Sequence, residues 1–156
     1  MSIRFLALPT EEVRKLQNGG LDANGHAPEL TVSDGDGYQC RHCLQIIPEG
    51  AEMLLAGYRP FPEDQPYAER GPLFVCAEQC ERHPESAELP ELFNLVESLL
   101  IRGYNTDNRI IYGTGDVRPV GEVVSTAEML FENPDVAFIH LRSSKNNCFQ
   151  CRIERG

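Results

Sequence analysis

An α+β fold with a mostly antiparallel sheet and a treble-clef-like zinc-binding subregion is the architecture that the sequence predicts. Three observations carry it. Short strand-like runs are interspersed with helical ones in no regular alternation. Turn signals such as DGDG (34–37), NTDN (105–108) and SKNN (144–147) separate the strand-like runs. Two close cysteine pairs, CRHC (40–43) and CAEQC (76–80), flank a stretch of strand and Pro-rich chain.

Taken in order, SIRFLAL (2–8) reads as a strand and PTEEVRKLQNGG (9–20) as a short helix. Thr10 is a candidate cap, Glu11 and Glu12 suit the positive helix end, and Gly19 is a stop. LTVS (30–33) is a short strand, and DGDG a turn that needs positive φ. After the first cysteine pair, PEG turns the chain into a strand over 51–58, followed by a surface loop holding Pro60, Pro62, Pro66 and Pro72. LFV leads into Cys76, and AEQCERH is expected to begin a helix. ELFNLVESL reads as helix, LLIRGY as its tail or a strand, and RIIYG (109–113) as the hairpin partner of that strand. GEVVSTAEMLFENP (121–134) is an amphipathic helix, with Val123, Val124, Ala127, Leu130 and Phe131 on one side and Pro134 after its end. DVAFIHLRS (135–143) and CFQCRIER (148–155) form a closing hairpin.

The chain has 156 residues, is 41% apolar and 24% charged, and is expected to form one domain over 1–156, with 38–83 as its zinc-binding subregion. No apolar run is long enough to span a bilayer, and the start lacks the pattern of a signal peptide, so a cytoplasmic protein is expected. A phosphate-tracking groove needs clustered Lys and Arg, whereas here the net charge is −10 and the acid is spread, so nucleic acid is not an expected partner; without a spanning run, nor is a membrane. The local exception is the last stretch, where Arg142, Lys145, Arg152 and Arg155 accompany Glu154 alone.

Six cysteines in such a chain should be thiols, metal ligands or redox groups before they are disulfides. Zinc takes four tetrahedral ligands, and thiolate suits it. Cys40 and Cys43 have knuckle spacing; Cys76 and Cys80 face one way if a helix begins near Ala77. The expected cofactor is therefore a structural Zn²⁺ on Cys40, Cys43, Cys76 and Cys80. Pairs that bind no metal, whether buried or bridged, and a redox CxxC are the alternatives. His42 should point away and be exposed; His83 is a substitute ligand. Four sulfurs leave no open position, so the ion would supply folding energy and perform no chemistry.

The last hairpin is the other candidate site. Strand alternation puts Phe149, Cys151 and Ile153 on one face, with Cys151 a core thiol, and Cys148, Gln150 and Arg152 on the other. Matching apolar faces sets Leu141 near Phe149 and Ile139 near Cys151. His140, Arg142, Cys148, Gln150 and Arg152 then share a surface. It reads as a solvated sheet face, as an anion site clamped by Arg142 and Arg152 with Gln150, or as a nucleophilic Cys148 with His140 as base. YGTG (112–115) matches no phosphate-loop pattern. Tyr58, Phe61 and Tyr67 lie in or beside the Pro-rich loop, a segment that covers core or acts as a lid.

IRFLALP, SDGDGYQCRHCL, YRPF with QPYAE and GPLF, YGTG and NNCFQCRIER together resemble the small bacterial proteins grouped as domain of unknown function 1203. The resemblance implies one compact bacterial domain and no reaction. The functional expectation is a zinc-stabilised binding protein recognising a small anionic ligand or a protein partner, with the Cys148 enzyme as the alternative.

Overall fold

Eight strands and two α-helices make up the computed structural model, which describes residues 2–156. The strands are β1 (Ile3–Leu6), β2 (Glu29–Val32), β3 (Glu52–Tyr58), β4 (Gly71–Cys76), β5 (Ser98–Tyr104), β6 (Asp116–Pro119), β7 (Phe138–Ser143) and β8 (Phe149–Arg155). The helices are α1 (Thr10–Gln17) and α2 (Val123–Leu130). All pairings between these strands are antiparallel, as an α+β chain with short turns should give. No helix among the described residues is long and apolar enough to cross a membrane.

The chain divides into two compact units. One comprises the residues up to Leu6, 61–68 and 84–156; the other comprises 7–60 and 69–83. The first holds a five-stranded sheet in the order β1-β8-β7-β5-β6. Alternation puts Ile3, Phe5, Leu99, Ile101, Ile139, Leu141, Cys151 and Ile153 in the core, and α2 packs on β5 and β6 with Val123, Ala127 and the adjoining Phe131 buried. The second unit holds the sheet β2-β3-β4, with α1 against β3 through buried Val13 and Leu16.

Several elements differ from expectation, each for a local reason. Pro9 takes the N-cap position of α1, so Thr10 is the first helical residue and its hydroxyl is used elsewhere. Residues 91–95 make only a 3-10 turn, and the apolar run after it pairs as β5. RIIYG contributes an isolated bridge, Tyr104 to Ile110; the extended partner of β5 is β6, a short polar edge strand. YGTG is a turn, in which the Thr114 hydroxyl donates to the Ile111 carbonyl at 2.6 Å and accepts from the Gly103 N–H at 2.9 Å. In the closing hairpin Leu141 pairs with Cys151 and Ile139 with Ile153, so the expected pairing was two residues out. A bulge makes Gln150 the extra residue and sets Phe149 opposite Arg142. The Phe149 ring therefore joins the His140 face, 4.8 Å from the imidazole, and leaves the face of Cys151.

Candidate metal centre

The knuckle is a tight turn between β2 and β3. The Cys40 N–H donates to the Gln45 carbonyl at 3.0 Å and the Leu44 N–H to the Cys40 carbonyl at 2.9 Å. Leu44 closes it at φ 53°, a left-handed conformation that costs a residue bearing Cβ about 1–2 kcal/mol. Its side chain is buried, which offsets part of that cost. The Arg41 N–H donates to the Phe74 carbonyl at 3.1 Å, so the knuckle docks onto β4 beside Cys76, the last residue of that strand.

The expected helix after Cys76 is absent: residues 77–83 form no helix or strand. Its role passes to α1. Arg14 donates through Nη2 to the Cys80 carbonyl at 2.9 Å, and Gln17 through Nε2 to the carbonyls of Cys76 and Glu78 at 2.8 and 2.9 Å. Thr10, Arg14 and Gln17 stand at helical spacing on one side of α1; Arg14 and Gln17 hold a loop that lacks secondary structure of its own, and Thr10 meets His42 of the knuckle.

The sulfurs of Cys40, Cys43, Cys76 and Cys80 all lie within 4.8 Å of one another, and Cys40 Sγ is 3.9 Å from Cys80 Sγ. Zinc–sulfur bonds of about 2.3 Å at tetrahedral angles put sulfurs about 3.8 Å apart, so the four fit one such ion with small adjustments. All six cysteines are free of disulfides. The Cys76 N–H points at Cys40 Sγ at 3.3 Å, a backbone donor aimed at the most buried sulfur.

The electrostatics of the four thiols suit a cation. Hydrogen bonds from the thiols of Cys43 and Cys76 pull the Cys40 thiol far below its ordinary range. The same contacts, made to Cys40, push the Cys43 and Cys76 thiols up. Burial, with the charge of Cys40 and Cys43, pushes Cys80 up to about 12. One thiolate thus suppresses the other three, and a bound divalent ion removes that conflict.

His42 is not exposed. It is fully buried, with Nδ1 3.1 Å from Cys80 Sγ and Nε2 2.9 Å from the Thr10 hydroxyl. Burial, aided by Arg14 and Arg82, keeps the imidazole below its ordinary value against the pull of Cys40. His83 is not among the four clustered ligands; its N–H donates to the His42 carbonyl at 2.9 Å.

The second candidate region assembles differently. Arg102, His140 and Arg152 are direct partners across β5, β7 and β8, with Arg142 on the same face of β7. His140 is fully buried among the rings of Phe61, Tyr104, Phe138 and Phe149, at centroid distances of 4.7 to 5.2 Å. Neither ring nitrogen has a hydrogen-bond partner among the described residues, so no hydrogen bond joins it to Cys148. Burial, then the charges of Arg142, Arg152 and Arg102, holds its pKa well below the usual imidazole range. Cys148 is half-buried just before β8, its Sγ 3.8 Å from the Asn146 carbonyl. Arg152 pairs with Glu154 at 2.6 Å and lies 3.9 Å over the Phe138 ring; Arg142 donates to the Asn147 carbonyl at 3.2 Å. Gln150 is buried at the bulge, and Cys151 is a core thiol whose S–H reaches the Leu6 carbonyl at 3.2 Å. In the same unit Phe61 is core, and the hydroxyls of Tyr67 and Tyr112 meet at 3.0 Å.

Residues 37–155 match the family described as protein of unknown function (DUF1203). The chain belongs to this family. The DUF1203 match begins just before Cys40 and takes in all six cysteines, whereas Thr10, Arg14 and Gln17 precede it. No curated protein and no solved structure matches the chain.

Sequence reasoning missed His42 as an inward-facing residue and α1 as the support of the second cysteine pair. The available signal was the polar series Thr10, Arg14, Gln17 beside apolar Val13 and Leu16, a helix with more than one face committed.

Proposed function

We propose that this DUF1203 chain is a cytoplasmic binding protein stabilised by one structural zinc ion, with a small anion as its ligand. The observation that carries the metal is the convergence of four sulfurs within 4.8 Å. Cys40, Cys43, Cys76 and Cys80 would hold the ion, and four thiolates leave it no position for substrate. When bound, the ion supplies Lewis-acid charge that lets all four sulfurs ionise. The residues supply direction: the knuckle aims two sulfurs, the end of β4 the third, and α1 the loop of the fourth.

The anion reading rests on the gathering of Arg102, Arg142 and Arg152 around His140 in a chain of net charge −10. Three guanidiniums on one face raise the local potential, and their planar forks suit carboxylate or phosphate. Six unbridged thiols support a reducing compartment.

Elemental analysis of purified protein tests the metal: one zinc per chain is expected, lost in Cys40→Ser and Cys43→Ser. Metal-free protein that stays folded and takes up no zinc would refute it. Titration with inorganic phosphate, followed by calorimetry, tests the ligand. Arg152→Ala and Arg102→Ala should each weaken binding several-fold, and absence of binding to the wild type overturns that half.

A further inference from the structure

Metal-bound cysteines depend on outer partners to fix the direction of the sulfur and to share its charge. Cys40 has such a partner in the Cys76 N–H. Cys80, on a loop without secondary structure, has a side chain instead: His42 Nδ1, at 3.1 Å. We infer that His42 is the positioning residue for Cys80, donating its Nδ1–H to the thiolate, and that the Thr10 hydroxyl selects the tautomer that makes this donation possible. The inference rests on the metal reading above and deepens it.

The roles follow from which atoms carry protons. A thiolate on a metal has no S–H, so toward His42 it only accepts. Nδ1 must then carry the hydrogen, which leaves Nε2 of a neutral imidazole bare. A bare Nε2 needs a donor, and the Thr10 hydroxyl stands 2.9 Å from it. His42 is fully buried, so water does not replace either contact. Pro9 at the cap position explains why the hydroxyl is available, since Thr10 caps nothing. The relay runs Thr10 Oγ1–H to Nε2, then Nδ1–H to Cys80 Sγ. It ties the first residue of α1 to the last ligand of the ion, and the Arg14 hydrogen bond to the Cys80 carbonyl supports the same residue from the backbone side.

Substituting Co²⁺ for Zn²⁺ gives a sulfur-to-cobalt charge-transfer band that reports how strongly the thiolates donate, and competition with a chromophoric chelator gives zinc affinity. His42→Phe fills the buried volume but has no donor. It should weaken zinc binding about 10- to 100-fold and move the band to lower energy, because an unbonded thiolate is the better electron donor. His42→Asn, whose amide N–H falls near the position of Nδ1, should recover the band and part of the affinity. Thr10→Val should give a smaller loss in the same direction, and it decides the matter if the His42 variants do not fold. Wild-type affinity and spectrum in His42→Phe, or in Thr10→Val when the His42 variants are lost, would overturn the assignment, as would His42→Asn behaving like His42→Phe. Wild-type protein that takes up neither metal would instead refute the metal reading, a result distinct from wild-type binding with indifferent variants.

Discussion

At the scale of single residues, the two histidines expected to face outward are both fully buried, and for different reasons. His42 has a hydrogen-bond partner for each nitrogen, whereas His140 has aromatic rings around it and none for either. The second arrangement has a pH consequence. A histidine in the unfolded chain titrates at about 6.5. Folded His140 resists protonation because of burial and the guanidiniums of Arg142, Arg152 and Arg102. Below that pH the unfolded chain takes up a proton that the folded chain refuses, so stability falls as pH drops, by at most about 1.4 kcal/mol per pH unit from this group, until the folded value is reached. His140→Phe should remove this contribution. Thermal melts at pH 7.5 and pH 5 should then differ less than in the wild type, and an unchanged difference would show that His140 does not govern the slope. Neither burial was legible in the sequence. The spacing of Cys40 and Cys43 announces a turn, but the direction of His42 depends on Thr10 and Cys80, which lie far away along the chain.

At the scale of elements, the local signals held where they were strong and failed where a distant partner decided. Both α-helices, the turn at DGDG and the last two strands were readable from periodicity and turn chemistry. The loop at 77–83 was not. The carbonyls of Glu78 and Cys80, with that of Cys76 before them, accept from Arg14 and Gln17, an arrangement no window of sequence displays. Gln17→Ala should therefore cost about 0.5–1.5 kcal/mol, since two partly hydrated carbonyls lose their donor, and chemical denaturation of the metal-loaded protein measures it. The bulge at Gln150 was equally hidden, because alternation alone assumes an unbroken ladder. Arg155 shows a related role: it donates to the carbonyls of Phe131, Asn133 and Val136 at the exit of α2 and lies 4.7 Å over the Phe131 ring. Arg155→Ala should lower stability by about 1–3 kcal/mol, whereas Arg155→Lys, with a smaller donor set, should fall between. A melt of Arg155→Ala matching the wild type would show those contacts to be idle.

At the scale of the whole molecule, all four clustered sulfurs belong to the unit of residues 7–60 and 69–83, whereas the five-stranded sheet has a separate core. Hydrogen exchange before and after treatment with a strong chelator should show this division. Amides of the knuckle, β3 and β4 should lose protection about tenfold or more, and those of β5, β7 and β8 should keep most of theirs. Equal loss throughout would mean that the ion supports both units alike.

The order β1-β8-β7-β5-β6 sets a timetable for a chain made from its N-terminus. Among the described strands β1 pairs with β8, the last of the eight in chain order, so Phe5 has to wait for Ile153 before these two strands can pair. The cysteine cluster, in contrast, is complete once Cys80 has left the ribosome. Capture of the proposed ion is thus able to precede closure of the larger sheet, and during the interval the nascent chain carries an unsatisfied edge that is vulnerable to wrong pairing.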